Sequence, residues 1–401
     1  MKNILFIAPA SYPVNGAENI VNIKLLKALC DAGFKIDLIS KKNINDIYPS
    51  ATLESLGIKL NSINIIEVDN QINIITIFQH LMCFVKFGMI YIGSHWAIKA
   101  LPIAKKLIKN NHYDYVLTRN PPAEIIGFYL KKKYNLKWIA TWNDPYPRQN
   151  YPEPYGKGIY ASKTFYEKRL ISVISKYVDI HIFPNLRERN YMNQYLNVNL
   201  NKTLIIPHIV IENIESKKQS STLPVLKMIH SGNLKYPRDP IPFLKALHSF
   251  IQKRPDSRIQ ISFLGVYDAL LLKNIEELQL ETIVKFIPPV DYFKSLELLS
   301  EYDIAMIIEA NCKEGIFLPS KVADYLQYNK KIFAISPNIG VLNDLYKEST
   351  VMYFANCINP ESIEVELSKI YYDFENDISR NIIKIPKEFL PENIVAQYDC
   401  I

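Results

Sequence analysis

The chain has 401 residues, 48% of them apolar and 22% charged, which supplies enough apolar surface for well-formed cores and excludes global disorder. Lys and Arg number 47 against 40 Asp and Glu, and the resulting net charge of +7 suits anionic small molecules or an anionic membrane surface but not a nucleic-acid footprint. Only 12 glycines are present, which excludes collagen-like and glycine-rich linker architectures, and the cysteines Cys30, Cys83, Cys312, Cys357 and Cys400 form no CxxC pair, which argues against a disulfide framework or cysteine zinc site.

At the N-terminus, Lys2 precedes Ile4-Leu5-Phe6-Ile7 and then Ala8-Pro9-Ala10. That apolar run is shorter than the ~7–15 residues of a signal-peptide core, so it reads as a first β-strand. Short Val/Ile/Leu-rich runs then alternate with amphipathic stretches. The first series of expected strands is Asn3–Ala8, Lys35–Ser40, Tyr115–Arg119, Lys137–Thr141, Asp179–Phe183 and Thr203–Ile206. The second is Lys227–Ser231, Arg258–Leu264, Val284–Ile287, Ile304–Ile308, Lys331–Ile335 and Val351–Phe354. Runs without polar alternation indicate parallel strands buried on both faces. Helices are expected over Ala17–Ala32, Pro240–Lys253, Ser320–Tyr328 and Pro360–Tyr372. Two series of strand and helix predict an α/β protein with two doubly wound parallel sheets.

The polar, aromatic-poor stretch Glu212–Thr222 separates the series. The expected organisation is an N-terminal domain at 1–207, a linker at 208–224, a C-terminal domain at 225–380, and a last segment at 381–401 whose helix packs back across the hinge. The apolar stretch Gln71–Ile98 is interrupted by Lys86 and is too short, between charges, for the ~18 residues of a spanning helix. A cytoplasmic protein is expected, with attachment to the cytoplasmic face of a membrane left open.

Ligands of open parallel sheets bind beyond the carboxyl ends of the strands, and two such domains facing each other make a cleft. After the first strand comes Pro9-Ala10-Ser11-Tyr12-Pro13-Val14-Asn15-Gly16-Ala17-Glu18, where Gly16 permits close approach of a ligand to the head of a helix; an ordinary strand–helix turn is the alternative. The loop is neither GxGxxG nor a Walker loop. After the first strand of the second series, Ser231-Gly232-Asn233-Leu234-Lys235-Tyr236-Pro237-Arg238 offers a glycine followed by cations that suit a diphosphate, or else a solvated basic turn. A third loop, Glu314-Gly315-Ile316-Phe317-Leu318-Pro319, leads to Ser320 as N-cap and Lys321 in the first turn. The helix dipole disfavours a cation there, so Lys321 is easier to understand beside a bound anion. Asp324 is placed to accept hydrogen bonds from a ribose diol; a capped surface helix is the alternative.

With these residues in view, the chain resembles a GT-B fold glycosyltransferase of family 4, retaining and nucleotide-sugar-dependent. ILFIAPASYPVNGAENIVNIKLLKALCDAGFKIDLIS resembles the family's acceptor-side opening, HSGNLKYPRDPIPFLKAL its donor-phosphate segment, and LPSKVADYLQYNKKIFAISPNIGVLNDL its donor-domain finish. The resemblance implies two Rossmann-like domains facing a central cleft. It implies that Gly16 lies under the transferred sugar and diphosphate, and that Arg238 stands for the family's phosphate-binding lysine. Ser320 and Lys321 would flank the diphosphate, with Gly232 and Lys235 in the same donor loop. Asp324 matches the second Glu of the family's Glu–seven residues–Glu motif, whereas the first falls on Ile316, which cannot bond a sugar hydroxyl; Glu314, two residues away, is the substitute. On the acceptor side, Asn15 and the strand-end segments with Asn120 and Asp144 are singled out. Asp144, before Pro145 and Tyr146, either orients an acceptor hydroxyl or acts as a base, or else caps a turn.

The implied reaction moves a sugar from a nucleoside diphosphate sugar to a hydroxyl of a saccharide or lipid-linked saccharide. Arg238 and Lys321 would stabilise the departing diphosphate without a cofactor or metal. Residues 74–113 combine Ile75, Phe78, Leu81, Phe84, Phe87, Tyr91 and Trp96 with Lys86, Lys99, Lys105, Lys106 and Lys109, either a surface for anionic lipid or a core helix with a lysine face. The Ile, Asn, Lys and Tyr bias suits an AT-rich bacterial gene, with capsule or lipopolysaccharide assembly as the setting. His208 is expected to be structural. The rival readings are a nucleotide-sugar epimerase of the same fold and a non-catalytic sugar-nucleotide or lipid-binding module.

Overall fold

A computed structural model describes residues 2–69, 73–87, 93–159, 171–211, 224–377 and 383–401. The expected linker Glu212–Thr222 and Tyr91 lie outside them. The chain forms two compact units. One comprises Met1–Tyr151, Gly156–Ile211 and Leu390–Ile401; the other comprises Pro152–Tyr155 and Glu212–Phe389.

The first unit is built on seven strands, β1 (Asn3–Ile7), β2 (Lys35–Asn43), β3 (Ser62–Val68), β4 (Tyr115–Arg119), β5 (Trp138–Thr141), β6 (Ile180–Phe183) and β7 (Thr203–Ile205). They lie in the order β3-β2-β1-β4-β5-β6-β7. Every pairing is parallel, for example Ile4 opposite both Ile36 and Tyr115. Central strands β1, β4 and β5 are almost wholly buried, as their unbroken apolar runs require. Strand β3 was not expected from the sequence: it is an edge strand, SINIIEV, half solvated and lacking a continuous apolar run.

Among the described residues its helices include α1 (Ala17–Asp31), α2 (Ile74–Phe87), α3 (Ser94–Asn110), α4 (Ala123–Tyr134) and α5 (Leu186–Leu196), and residues 171–175 are helical as well. Trp96, Ala97, Ala100, Leu101 and Ala104 of α3 pack into a core with Leu5, Ile7, Ile39 and Val116 of the sheet. The small residues on α3 let the helix approach the strands, and the Trp96 indole N–H donates to Ser40 O at 3.1 Å.

The second unit carries β8 (Leu226–Ser231), β9 (Ile259–Leu264), β10 (Val284–Ile287), β11 (Ile304–Ile308), β12 (Lys331–Ser336) and β13 (Met352–Asn356), in the order β10-β9-β8-β11-β12-β13. All pairs are again parallel. Its helices are α6 (Ile241–Lys253), α7 (Ala269–Glu277), α8 (Tyr292–Leu299), α9 (Lys321–Gln327), α10 (Val341–Glu348) and α11 (Pro360–Glu375). Phe243, Leu247 and Phe250 of α6 and Ile363, Leu367 and Ile370 of α11 share one core with β8 and β9. The last helix, α12 (Pro391–Cys400), returns to the first unit and packs on α1. The Tyr115 hydroxyl donates to Tyr398 O at 3.3 Å in that contact.

In each sheet the strand order reverses beside the first strand, between β1 and β4 and between β8 and β11. Such a switch point leaves a crevice at the carboxyl ends of the strands, where the outgoing loops diverge.

Candidate functional site

Gly232 directly follows β8, and its φ of +135° is open to glycine and strained for any other residue. Its N–H donates to Leu264 O at 2.7 Å. Lys321 lies directly over it: a Cβ on Gly232 would come within 2.8 Å of Lys321 Cε. The missing side chain at 232 is therefore the space that the lysine fills. Arg238 reaches the same place by a turn closed from Arg238 N–H to Lys235 O at 3.0 Å. Its guanidinium stands 3.4 Å from Glu309 Oε1 and 5.5 Å from the ring centroid of Tyr155. The Tyr155 hydroxyl donates to Glu309 Oε2 and accepts from Ala310 N–H at 3.1 Å.

Three charged groups thus share one crevice, two of them cations. Burial and the repulsion of Arg238 push the Lys321 ammonium down to about 8, against the pull of Glu309 and Asp324. Burial, with Lys321 and Arg238 adding to it, keeps His230 of β8 neutral. A small pocket adjoins, lined by Tyr155, Glu309, Cys312, Gly315, Phe317 and Ser336 among others.

Not every residue expected here takes its expected part. Lys235 is exposed on the turn. Ser320 precedes α9 but makes no side-chain cap, because its φ and ψ of −55° and −28° are already helical rather than extended. Ile316 is fully buried. Glu314 is half-buried on the loop, while the carboxylate held beside the two cations is Glu309. Asp324 is buried and its Oδ1 accepts from the Tyr292 hydroxyl at 2.7 Å.

The first unit gathers a different set. Gly16 is exposed with an extended φ of 171°, and a Cβ there would meet nothing nearer than Asn19 Oδ1 at 3.9 Å, so the protein itself leaves that position open. Asn15 is exposed and donates to Asp46 Oδ2 at 2.9 Å. Asn120, left-handed at φ 60°, accepts the Asn143 N–H at 2.8 Å and so ties the ends of β4 and β5 together. Asn143 donates to Glu18 Oε1 at 2.8 Å, Asn22 to the same oxygen at 3.0 Å, and Arg119 Nε to Asn22 Oδ1 at 2.5 Å. Burial raises Glu18 above the ordinary carboxylate range, opposed by Arg119.

Asp144 follows on the same loop. The residue is exposed overall, and burial of the carboxyl itself, followed by the charge of Glu18, raises it above the ordinary carboxylate range, against a hydrogen bond from Tyr151 and the Arg148 charge. Glu188 of α5 is buried with neither carboxylate oxygen hydrogen-bonded, and burial followed by repulsion from Asp144 and Glu18 raises it well above its ordinary value. A second small pocket is lined by Arg119, Asn143, His208 and Tyr398 among others. Among the described residues no cluster of His, Cys, Asp or Glu is arranged to hold a metal ion.

Of the residues singled out from the sequence, Gly232, Arg238 and Lys321 come together in one crevice and Asp144 lies near Glu18; Glu18, Arg119, Tyr155, Glu188, His230 and Glu309, which gather around them, were not singled out. Glu18 and Glu309 each carried a signal, since one opens the first helix beside Gly16 and the other directly follows β11. Tyr155 carried none, for 154 residues separate it from Glu309.

No family model matches this sequence, and no curated protein matches it. Solved structures do, at low identity. Sucrose-phosphate synthase from Thermosynechococcus elongatus superposes with a TM-score of 0.64 at 14% identity, over 100% of this chain and 98% of that one. HepE from Anabaena, solved with UDP and glucose, gives 0.62 at 14% identity, over 100% and 98%. The lipopolysaccharide outer core galactosyltransferase WaaB gives 0.59 at 11% identity, over 99% and 98%. Likeness along the whole chain, with two parallel Rossmann-like sheets, establishes the GT-B fold.

Proposed function

We propose that the protein is a glycosyltransferase that moves a sugar from a nucleoside diphosphate sugar to a hydroxyl of a saccharide or lipid-linked saccharide, with retention at the anomeric carbon as in family 4. The observation that carries this reading is the meeting of Gly232, Arg238 and Lys321 at the switch point of the second sheet. Two cations that repel each other are relieved by an anion, and a diphosphate brings the charge they lack. HepE, of the same fold, was solved with UDP and glucose, which supports a nucleotide sugar as the partner.

As the glycosidic bond to the diphosphate breaks, negative charge grows on the leaving phosphate. Arg238 and Lys321, fixed beforehand, stabilise it, so the step calls for no divalent metal. Glu309, held by Tyr155, keeps the guanidinium aimed. Asp144, whose carboxyl is raised above the ordinary carboxylate range, orients the acceptor hydroxyl or takes up its proton. Asn15, Gly16 and Asn120 complete the acceptor side; Ser320 and Asp324 flank the nucleotide. The likeness to WaaB supports surface polysaccharide or lipopolysaccharide assembly at the cytoplasmic face of a membrane as the setting.

Titration calorimetry with UDP and related nucleoside diphosphates tests the donor site. Arg238→Ala and Lys321→Ala are each expected to weaken affinity about tenfold or more with the melting temperature preserved. Unchanged affinity in both variants removes the phosphate assignment. A panel of nucleotide sugars incubated without acceptor separates the epimerase reading, which requires isomerisation under those conditions.

A further inference from the structure

The carboxyl end of β2 carries basic side chains that the donor and acceptor roles above leave unused. Lys41 lies there, and its backbone N–H donates to Pro9 O at 3.2 Å, which sets it beside the loop after β1. The bond from the Trp96 indole to Ser40 O brings the head of α3 alongside the same strand end. At that head His95 meets His80 of α2 edge-on, with ring centroids 5.8 Å apart. Lys99, one turn along α3, donates to Glu67 O at 3.1 Å and forms the rim.

These groups lack partners. Buried polar atoms are ordinarily hydrogen-bonded, yet both ring nitrogens of His95 are buried and neither has a partner. The half-buried Lys41 ammonium makes no hydrogen bond or ion pair among the described residues. The carboxylate near it, Asp46, accepts from Asn15 at 2.9 Å and from Asn43, both on Oδ2. Helix α3 starts after Gly93 with no side-chain cap and no acid in its first turn, so its positive end is uncompensated. Burial, then the charges of His80, Lys41 and Lys99, holds His95 below its ordinary value, and burial lowers Lys41 against the pull of Asp46. Basic groups that discharge one another in this way are relieved by an anion.

We propose that Lys41, His80 and His95, with the head of α3, form an anion subsite that takes a phosphate or diphosphate group attached to the acceptor saccharide. Placement favours the acceptor over the donor. Asp46 ties the cluster to Asn15, next to Gly16 in the loop after β1, whereas the cations assigned to the donor belong to the second unit. Lys41 meets the phosphate as a point charge, the imidazoles donate from their protonated nitrogens, and the first N–H groups of α3 point at its oxygens. The saccharide hydroxyls fall to Glu18 and Asp144, and the phosphate to this cluster. A neutral hydroxyl alone would leave the cluster's charge unanswered.

The inference rests on the reading of the first unit as the acceptor side, and direct binding tests it apart from sugar transfer. Pyrophosphate would also enter the crevice of Arg238 and Lys321, so calorimetry is run on the full chain carrying Arg238→Ala and Lys321→Ala. That chain is expected to bind pyrophosphate and glucose 1-phosphate, and not glucose. Affinity is expected to rise about tenfold from pH 8 to pH 6, with proton uptake, because an anion favours the charged form of the imidazoles beside it. Adding Lys41→Ala is expected to weaken binding about tenfold with the melting temperature preserved, and adding His95→Gln to flatten the pH profile. Absence of binding by the parent chain, equal binding of glucose and glucose 1-phosphate, or affinity unchanged by both added substitutions overturns the subsite. If UDP fails to bind the wild type while pyrophosphate binds the doubly substituted chain, the donor reading falls and the subsite stands; UDP binding to the wild type without phosphate binding to that chain does the opposite.

Discussion

In the second unit, the loops after β8 and β11 bring Arg238 and Lys321 together with the carboxylates Glu309 and Asp324. In the first, the loops after β1, β4 and β5 gather Glu18 and Asp144, with Glu188 nearby, and the cations Arg119 and Arg148. The two sheets share the strand order that opens a crevice beside the first strand. Topology thus decides where a ligand can sit, and a handful of loop residues decide its charge. A crevice that holds two cations side by side suits an anionic leaving group. A crevice that gathers three carboxyl groups suits a neutral polyhydroxyl acceptor, whose hydroxyls donate to them.

If that division of labour holds, variants in the two crevices fail differently. Asp144→Asn is expected to lower kcat about a hundredfold while leaving UDP affinity intact; steady-state kinetics paired with calorimetry would refute the split if both fell together. A smaller effect distinguishes the donor side by pH. Lys321 loses its proton above about pH 8, and the attraction for diphosphate goes with it, so affinity should fall about tenfold for each unit beyond that point. Lys321→Arg, which stays charged, should flatten the profile; a wild-type profile already flat to pH 10 would show that the ammonium is not in contact with the anion.

The smallest expected effect concerns stability. Burial, with the charge of Glu18 adding to it, pushes Glu124 of α4 up to about 8. Its folded value is raised, so its contribution favours the fold at pH below the ordinary carboxylate value and is lost as pH rises through 8. Glu124→Gln removes the need to ionise a buried group and should raise the melting temperature by a few degrees at pH 8 and scarcely at pH 5. Equal shifts at both pH values would mean that Glu124 is not the group responsible.

Helix α2 and helix α3 offer a second contrast. Both are apolar in sequence, and composition alone left open whether the stretch was core or surface. Trp96 of α3 has small neighbours, Ala97 and Ala100, that let it sink against the sheet. Phe78 and Leu81 of α2 have no such footing and stay in solvent. Periodicity says that a helix has an apolar side; it does not say what that side meets.

The fold was largely legible because parallel strands buried on both faces leave unbroken Val/Ile/Leu runs that no other element produces at that length. Strand β3 escaped because one side of an edge strand is wet. The meeting of Gly232, Arg238 and Lys321 had local cues, a glycine at a strand end followed by an arginine, and a lysine placed against a helix dipole. What sequence alone determined, then, is what neighbouring residues dictate: strand, helix and the loops between them. Only the tertiary structure decided that Glu309 and Tyr155, far apart in the chain, would hold Arg238, and that Ser320 would not cap while Ile316 would be buried. Those contacts are fixed by how strands are ordered in the sheet, a long-range outcome that no local pattern of residues encodes.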